Sequence, residues 1–130
     1  MGLGGRGTAQ ARESLAADRE RAGRLDDLLR EVATAQAALE EARGAGAPAE
    51  ELHERGLVLD TALTEAMRAA YARERVLVGE RGYSDRIYRR KRLARPAVRE
   101  ATGVAERLLT ARERHRLHGV QRVPRRVGAL

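Results

Sequence analysis

The sequence predicts an all-α protein: a long antiparallel helical hairpin of coiled-coil type, followed by a short basic helix and a C-terminal amphipathic helix. Three observations carry this. The apolar set is mostly Ala and Leu, with no Phe, Trp or Cys and a single isoleucine, Ile87. Ala, Leu, Arg and Glu are strong helix formers, whereas the β-branched and aromatic residues that suit strands are scarce. Two stretches also repeat apolar residues at alternating steps of three and four, the seam of paired helices. Small side chains fill little volume, so a chain of 130 residues with this composition builds thin layers of closely packed helices rather than a thick core.

Residues 1–7 read as a flexible Gly-rich arm. Gly2-x-Gly4-x-x-Gly7 has the spacing of a dinucleotide fingerprint, but no strand precedes it, and that motif needs one. Residues 8–78 form the predicted hairpin. On its first helix the seam is Leu25, Leu28, Val32, Ala35, Leu39 and Ala42. The run Gly44-Ala45-Gly46-Ala47-Pro48 stops that helix, because Gly suits a helix C-terminus and Pro the start of the next. Leu52, Gly56, Leu59, Leu63, Ala66, Ala70, Arg73 and Leu77 carry the second seam. With the turn centred near Gly46, facing residues have numbers summing to about 91. This pairs Leu28 with Leu63, Val32 with Leu59, Ala35 with Gly56 and, further out, Asp18 with Arg73. Beside the second seam runs another stripe, Val58, Ala62, Ala69 and Val76, which needs cover from the rest of the chain or from a second copy; it is the expected oligomer interface.

Residues 79–118 form a basic helical region. Gly79 and Gly82 break the hairpin, and Ser84 is the expected N-cap of a short helix over residues 85–94, with Ile87, Tyr88 and Leu93 docking it. Pro96 opens the last helix, whose expected seam is Ala97, Ala101, Val104, Leu108, Ala111 and His115. Gly119 then caps it, and residues 119–130 are a basic flexible tail.

Charge is the strongest functional hint. Residues 1–79 hold 11 Arg against 14 acids, 11 − 14 = −3, and residues 80–130 hold 15 Lys plus Arg against 5 acids, 15 − 5 = +10. Only one basic residue is a lysine, Lys91; a bias to Arg this strong also arises from genome composition. The candidate nucleic-acid-binding residues are Arg86, Arg89, Arg90, Lys91, Arg92, Arg95 and Arg99, joined by Arg122, Arg125 and Arg126 in the tail. Guanidinium groups suit phosphate oxygens through forked hydrogen bonds. Tyr83 and Tyr88 border the cluster, and Arg112, Arg114 and Arg116 form a second basic group. The alternative is that these arginines neutralise the acidic hairpin, and that the chain is a structural or adaptor protein that self-associates or docks on acidic protein partners.

No enzyme is predicted. Ser14 and Ser84 have no partner base nearby in sequence, and the absence of cysteine removes thiolate chemistry. Glu50-x-x-His53 has the spacing of half a carboxylate-bridged metal site, but the chain has no second copy, and His115 with His118 gives only two ligands. No metal or cofactor is therefore expected. Nothing resembles an export signal, and no run reaches the ~18 apolar residues of a membrane span, so the expected setting is cytoplasmic, without membrane contact.

Overall fold

The computed structural model describes residues 2–120, with side chains from residue 8 onward. Those residues are all-helical: α1 (Gly2–Ala22), α2 (Leu25–Gly44), α3 (Ala49–Val78), a 3-10 turn (Glu80–Tyr83), α4 (Arg86–Leu93), α5 (Pro96–Arg114) and a closing π turn (His115–Gly119). No helix among them is long and apolar enough to cross a membrane. At 30 residues α3 spans ~45 Å and is the central element, in contact with α1, α2 and α5.

The turn between α2 and α3 forms where the Gly-rich run stands. Gly46 takes φ +68, the Gly46 N–H donates to the Arg43 carbonyl (3.1 Å), and the Ala47 N–H donates to the Ala42 carbonyl (3.0 Å). These two bonds satisfy the last carbonyls of α2 in a Schellman motif, which needs a left-handed residue and so favours glycine. Leu25, Leu28, Ala35 and Leu39 of α2 and Leu59, Leu63, Ala66 and Ala70 of α3 fall in one buried cluster, with Val32 and Leu52 half-buried against it. Ala66 and Ala69 are fully enclosed, as close helix contact requires.

Beyond Leu25 the structure departs from the expected hairpin. The first helix does not run on unbroken. Gly23 and Arg24 interrupt it, and Arg24 sits at φ −91, ψ −3 with its N–H on the Arg21 carbonyl. Glycine weakens a helix interior, and the step from the Gly23 N–H on the Arg19 carbonyl, four residues back, to the Arg24 N–H on a carbonyl three back breaks the α-helical pattern there. On the far half of α3 the predicted seam residues Arg73 and Leu77 are exposed, whereas Ala72 and Val78 are buried. The cover has moved to another side of α3, where Asp18 pairs with Arg75 rather than with Arg73. Gly56 likewise turns its bare side to Val120 and the His115 ring, not to Ala35. Helix α1 begins at Gly2, within the stretch expected to be an arm; with no proline there, each further residue extends an existing helix without a new nucleation cost.

The expected interface stripe is mostly spent inside the chain. Ala62 and Ala69 join the central cluster along with Ala105 and Leu108 of α5, Val76 is half-buried, and only Val58 stands open at 59% exposure. A stripe chosen for period alone cannot reveal which neighbour covers it.

Helix α5 buries Val98, Ala101, Ala105 and Leu108, and the π turn after it buries His115. Ala101, Leu108 and His115 of the expected seam are thus buried, but Ala97 and Ala111 are exposed, and Arg112 takes the place on the inner face between Leu108 and His115. The Arg112 guanidinium reaches the Met67 sulfur, with Nη1 at 3.9 Å, so a half-buried arginine joins α5 to α3 there. His115 Nε2 donates to the Gly56 carbonyl at 2.7 Å, tying the end of α5 to α3. The helix closes in a π turn in which the Val120 N–H donates to the His115 carbonyl (3.1 Å).

Candidate functional site

The basic helix α4 is set by its flanks. Gly79 ends α3 at φ +99, a conformation that L side chains rarely adopt. The 3-10 turn follows, packed so tightly that a Cβ on Gly82 would collide with Val78 Cγ1. Asp85, not Ser84, caps α4, its Oδ1 accepting the Tyr88 N–H at 3.0 Å. The backbone bond to Tyr88 is the main reason the Asp85 carboxyl titrates below its usual range, and Arg81 adds to it. The sequence signal for this cap, an Asp three residues before Tyr88, was readable but lost to its serine neighbour.

Eight residues of α4 carry Arg86, Arg89, Arg90, Lys91 and Arg92 and no acid. None of them is buried enough to form a core. Tyr88 and Leu93 are half-buried and dock the helix; Ile87, expected to help, is instead 71% exposed among the cations. Two guanidinium groups lie over the Tyr88 ring, Arg81 at 4.7 Å and Arg92 at 5.4 Å from its centre. That stacking holds the helix on an electron-rich face and turns Arg92 inward. Arg86, Arg90 and Lys91 point outward with Ile87. Arg89 is exposed beside Val78 and Tyr83, and Arg95 and Arg99 continue the exposed charge into the start of α5.

Several arginines elsewhere are paired. Arg75 makes a two-pronged bond to Asp18 (2.8 and 3.0 Å), Arg116 one to Asp60 (2.7 and 3.3 Å), Arg55 one to Glu51, and Arg81 reaches Asp85. Neutralisation of the acidic hairpin by the C-terminal half therefore does occur, through Arg116. Among the described residues, Arg86, Arg89, Arg90, Lys91, Arg92, Arg95 and Arg99 form no ion pair. Arg122, Arg125 and Arg126 lie outside the described residues. No family model, curated protein or solved structure matches the chain.

Next to α4 stands a buried polar knot that sequence reading missed. Asp18, 9% exposed, accepts two bonds from Arg75 and one from the Tyr83 hydroxyl at 2.6 Å. Burial opposes its ionisation, yet the Arg75 and Tyr83 bonds and the nearby charges outweigh it and hold the carboxyl below the usual range. Burial first, and then the bond to Asp18, push the Tyr83 phenol upward. Tyr83, expected at the edge of the basic cluster, is thereby spent on structure: it ties the turn before α4 to α1. Asp60 is held low chiefly by its bond from Arg116. Among the described residues no group of three or more His, Cys, Asp or Glu is placed to hold a metal ion; this includes the Glu50–His53 tip and the His115–His118 pair.

Proposed function

We propose that this protein binds the phosphate backbone of nucleic acid through its Arg-rich C-terminal half, as a helical binding protein rather than a catalyst. The observation that carries the reading is the charge of α4: five basic residues, no acid, and no ion pair among the described residues, whereas Arg75, Arg81 and Arg116 do find carboxylates. Exposed guanidinium groups held on a short capped helix suit phosphate oxygens, and the resulting affinity is electrostatic and weakly dependent on sequence. In this reading the coiled-coil-like pair α2–α3 is the scaffold and α4 the contact surface.

Fluorescence anisotropy across a salt series tests it. A log–log slope of about −0.9 per phosphate neutralised is expected on duplex DNA, and changing Arg86, Arg90 and Lys91 to Ala flattens it by up to ~2.7. These side chains are exposed, so the variant keeps its helical circular dichroism. No binding at about 0.1 M salt, where screening acts over roughly 10 Å, removes the reading.

A second reading, an adaptor that self-associates or docks on acidic protein partners, is favoured by one feature. A groove of about 700 Å³ between α2 and α3 is lined by Thr34, Ala35, Ala38, Leu57, Val58, Thr61 and Ala62, with Leu57 and Val58 exposed. Sedimentation that gives a monomer at every concentration tested excludes self-association through it.

A further inference from the structure

Helix α5 has a second charged side. Opposite its buried row runs another: Arg99, Gly103, Arg107, Thr110 and Arg114, at steps of four, four, three and four, the spacing of one helix face. Arg99, Arg107, Thr110 and Arg114 are exposed, and among the described residues none of these three arginines forms an ion pair. Their neighbours Arg112 and Arg116 are committed elsewhere, to Glu113 and Asp60. Small residues lie between the charges. Gly103, Thr110 and Ala111 floor a shallow trough of about 460 Å³ walled by Glu106, Arg107 and Arg114. The Arg107 guanidinium folds over Gly103, with Nη1 3.3 Å from where a Cβ would stand, so the bare backbone there makes room for the arginine. Glycine weakens a helix interior, and a place on this outward row is the one its space serves.

Resting on the phosphate-binding reading above, we propose that this row is a second contact track and that the ligand is B-form duplex DNA lying across α5. The row from Arg99 to Arg114 is ~22 Å long, and its successive arginines stand ~12 and ~10 Å apart. The major groove of B-DNA is about 12 Å wide and admits a helix. A helix crossing it sets neighbouring arginines against phosphates on opposite walls, with the small residues over the groove. The narrow major groove of A-form RNA sets its phosphate walls closer together than this spacing. A single strand would need stacking platforms, and the row carries no aromatic residue. Glu106 at the edge of the trough, and Glu100 and Glu113 beside the row, repel phosphate and confine the contact to the three arginines. Arg95 joins this track to α4, so both basic surfaces engage one elongated polyanion.

The test uses hairpin DNAs with stems of about 4, 7, 10 and 15 base pairs, RNA hairpins of the same lengths, and the double variant Arg107→Ala/Arg114→Ala, read by anisotropy across salt. Affinity rises up to a DNA stem of about 7 base pairs, the length of the row at 3.4 Å per pair, and then levels off in the Arg86, Arg90 and Lys91 to Ala variant, where α4 adds no contact. The double variant lowers the salt slope by ~1.8, two contacts' worth. RNA stems bind more weakly than DNA of equal length. An unchanged slope in the variant, while Arg86, Arg90 and Lys91 to Ala still flattens it, leaves the α5 row idle and overturns this inference but not the α4 reading. So does affinity that saturates at the shortest stem in the α4 variant, a readout that leaves the row itself unaltered. Equal affinity for RNA overturns the groove assignment. No binding of any nucleic acid by the unaltered protein overturns both readings together.

Discussion

Replacing Asp18 with Ala tests whether α1 is held by its buried polar knot. The Asp18 side chain is 13% exposed and accepts three bonds, two from Arg75 and one from the Tyr83 hydroxyl. The Arg75 side chain is 39% exposed and recovers water when its partner goes, so its two bonds together count for about 1 kcal/mol. The bond from Tyr83, itself pushed up in pKa by burial, counts for about 1.5 kcal/mol, as for a hydrogen bond to a charged group. The expected loss is thus about 2.5 kcal/mol near pH 7, against a total of roughly 5–15 for a domain of this size. In urea, with a slope of about 1–3 kcal/mol per molar, the midpoint falls by on the order of 1–2 M.

The sign of the pH dependence follows from the lowered Asp18 pKa. The unfolded chain holds the proton more tightly than the folded one, so the stabilisation is fully present above the unfolded value of about 3.9 and fades as pH falls through the folded pKa. Unaltered protein and the Ala variant therefore converge in acid. Asp18→Asn, which cannot ionise, loses this acid-side dependence while keeping one acceptor oxygen. A loss below about 0.5 kcal/mol in the Ala variant, with the same pH profile as the unaltered protein, refutes the reasoning: the knot would then be no better than an exposed pair.

Two further outcomes test the packing. Leu59→Asp places a carboxylate without a partner in the central cluster, where Leu59 is 6% exposed; at about 3–5 kcal/mol this lowers the midpoint of the thermal transition, followed by circular dichroism, by roughly 10–25 °C. Gly82→Ala drives a Cβ into Val78, and a cost of about 1–3 kcal/mol is expected in urea, with helical content unchanged at 25 °C.

How much was legible in the sequence differs between elements for physical reasons. Composition and the three-four repeat determined the helical class, the buried apolar residues of α2 and of the first half of α3, and the turn at Gly46, because these rest on local propensity and on a stop signal that works through backbone conformation alone. Pro96 at the first turn of α5 was readable for the same reason. The clustered charge of α4 could be read as well, since it is a matter of residue type.

Choice of neighbour was decided only in the tertiary structure. Alanine is small and tolerates burial on any side of a helix, so an Ala-rich helix gives weak instruction about which face turns inward. Helix α3 carries Ala62, Ala66, Ala69, Ala70 and Ala72 across an arc of roughly 160°, and all five are buried. A seam drawn through Arg73 and Leu77 therefore looked as good as the side actually covered at Ala72 and Val78. The break at Gly23–Arg24 and the bond of Asp18 to Arg75 and Tyr83, 57 and 65 residues away in sequence, settle the matter. The same holds for the arginines. Residue type put a positive charge at Arg86, Arg107 and Arg116 alike, but only the fold brings Asp60 to Arg116 and no described carboxylate into an ion pair with the other two. A charge remains available to a ligand when the chain offers it no partner, and that depends on contacts between residues far apart in sequence.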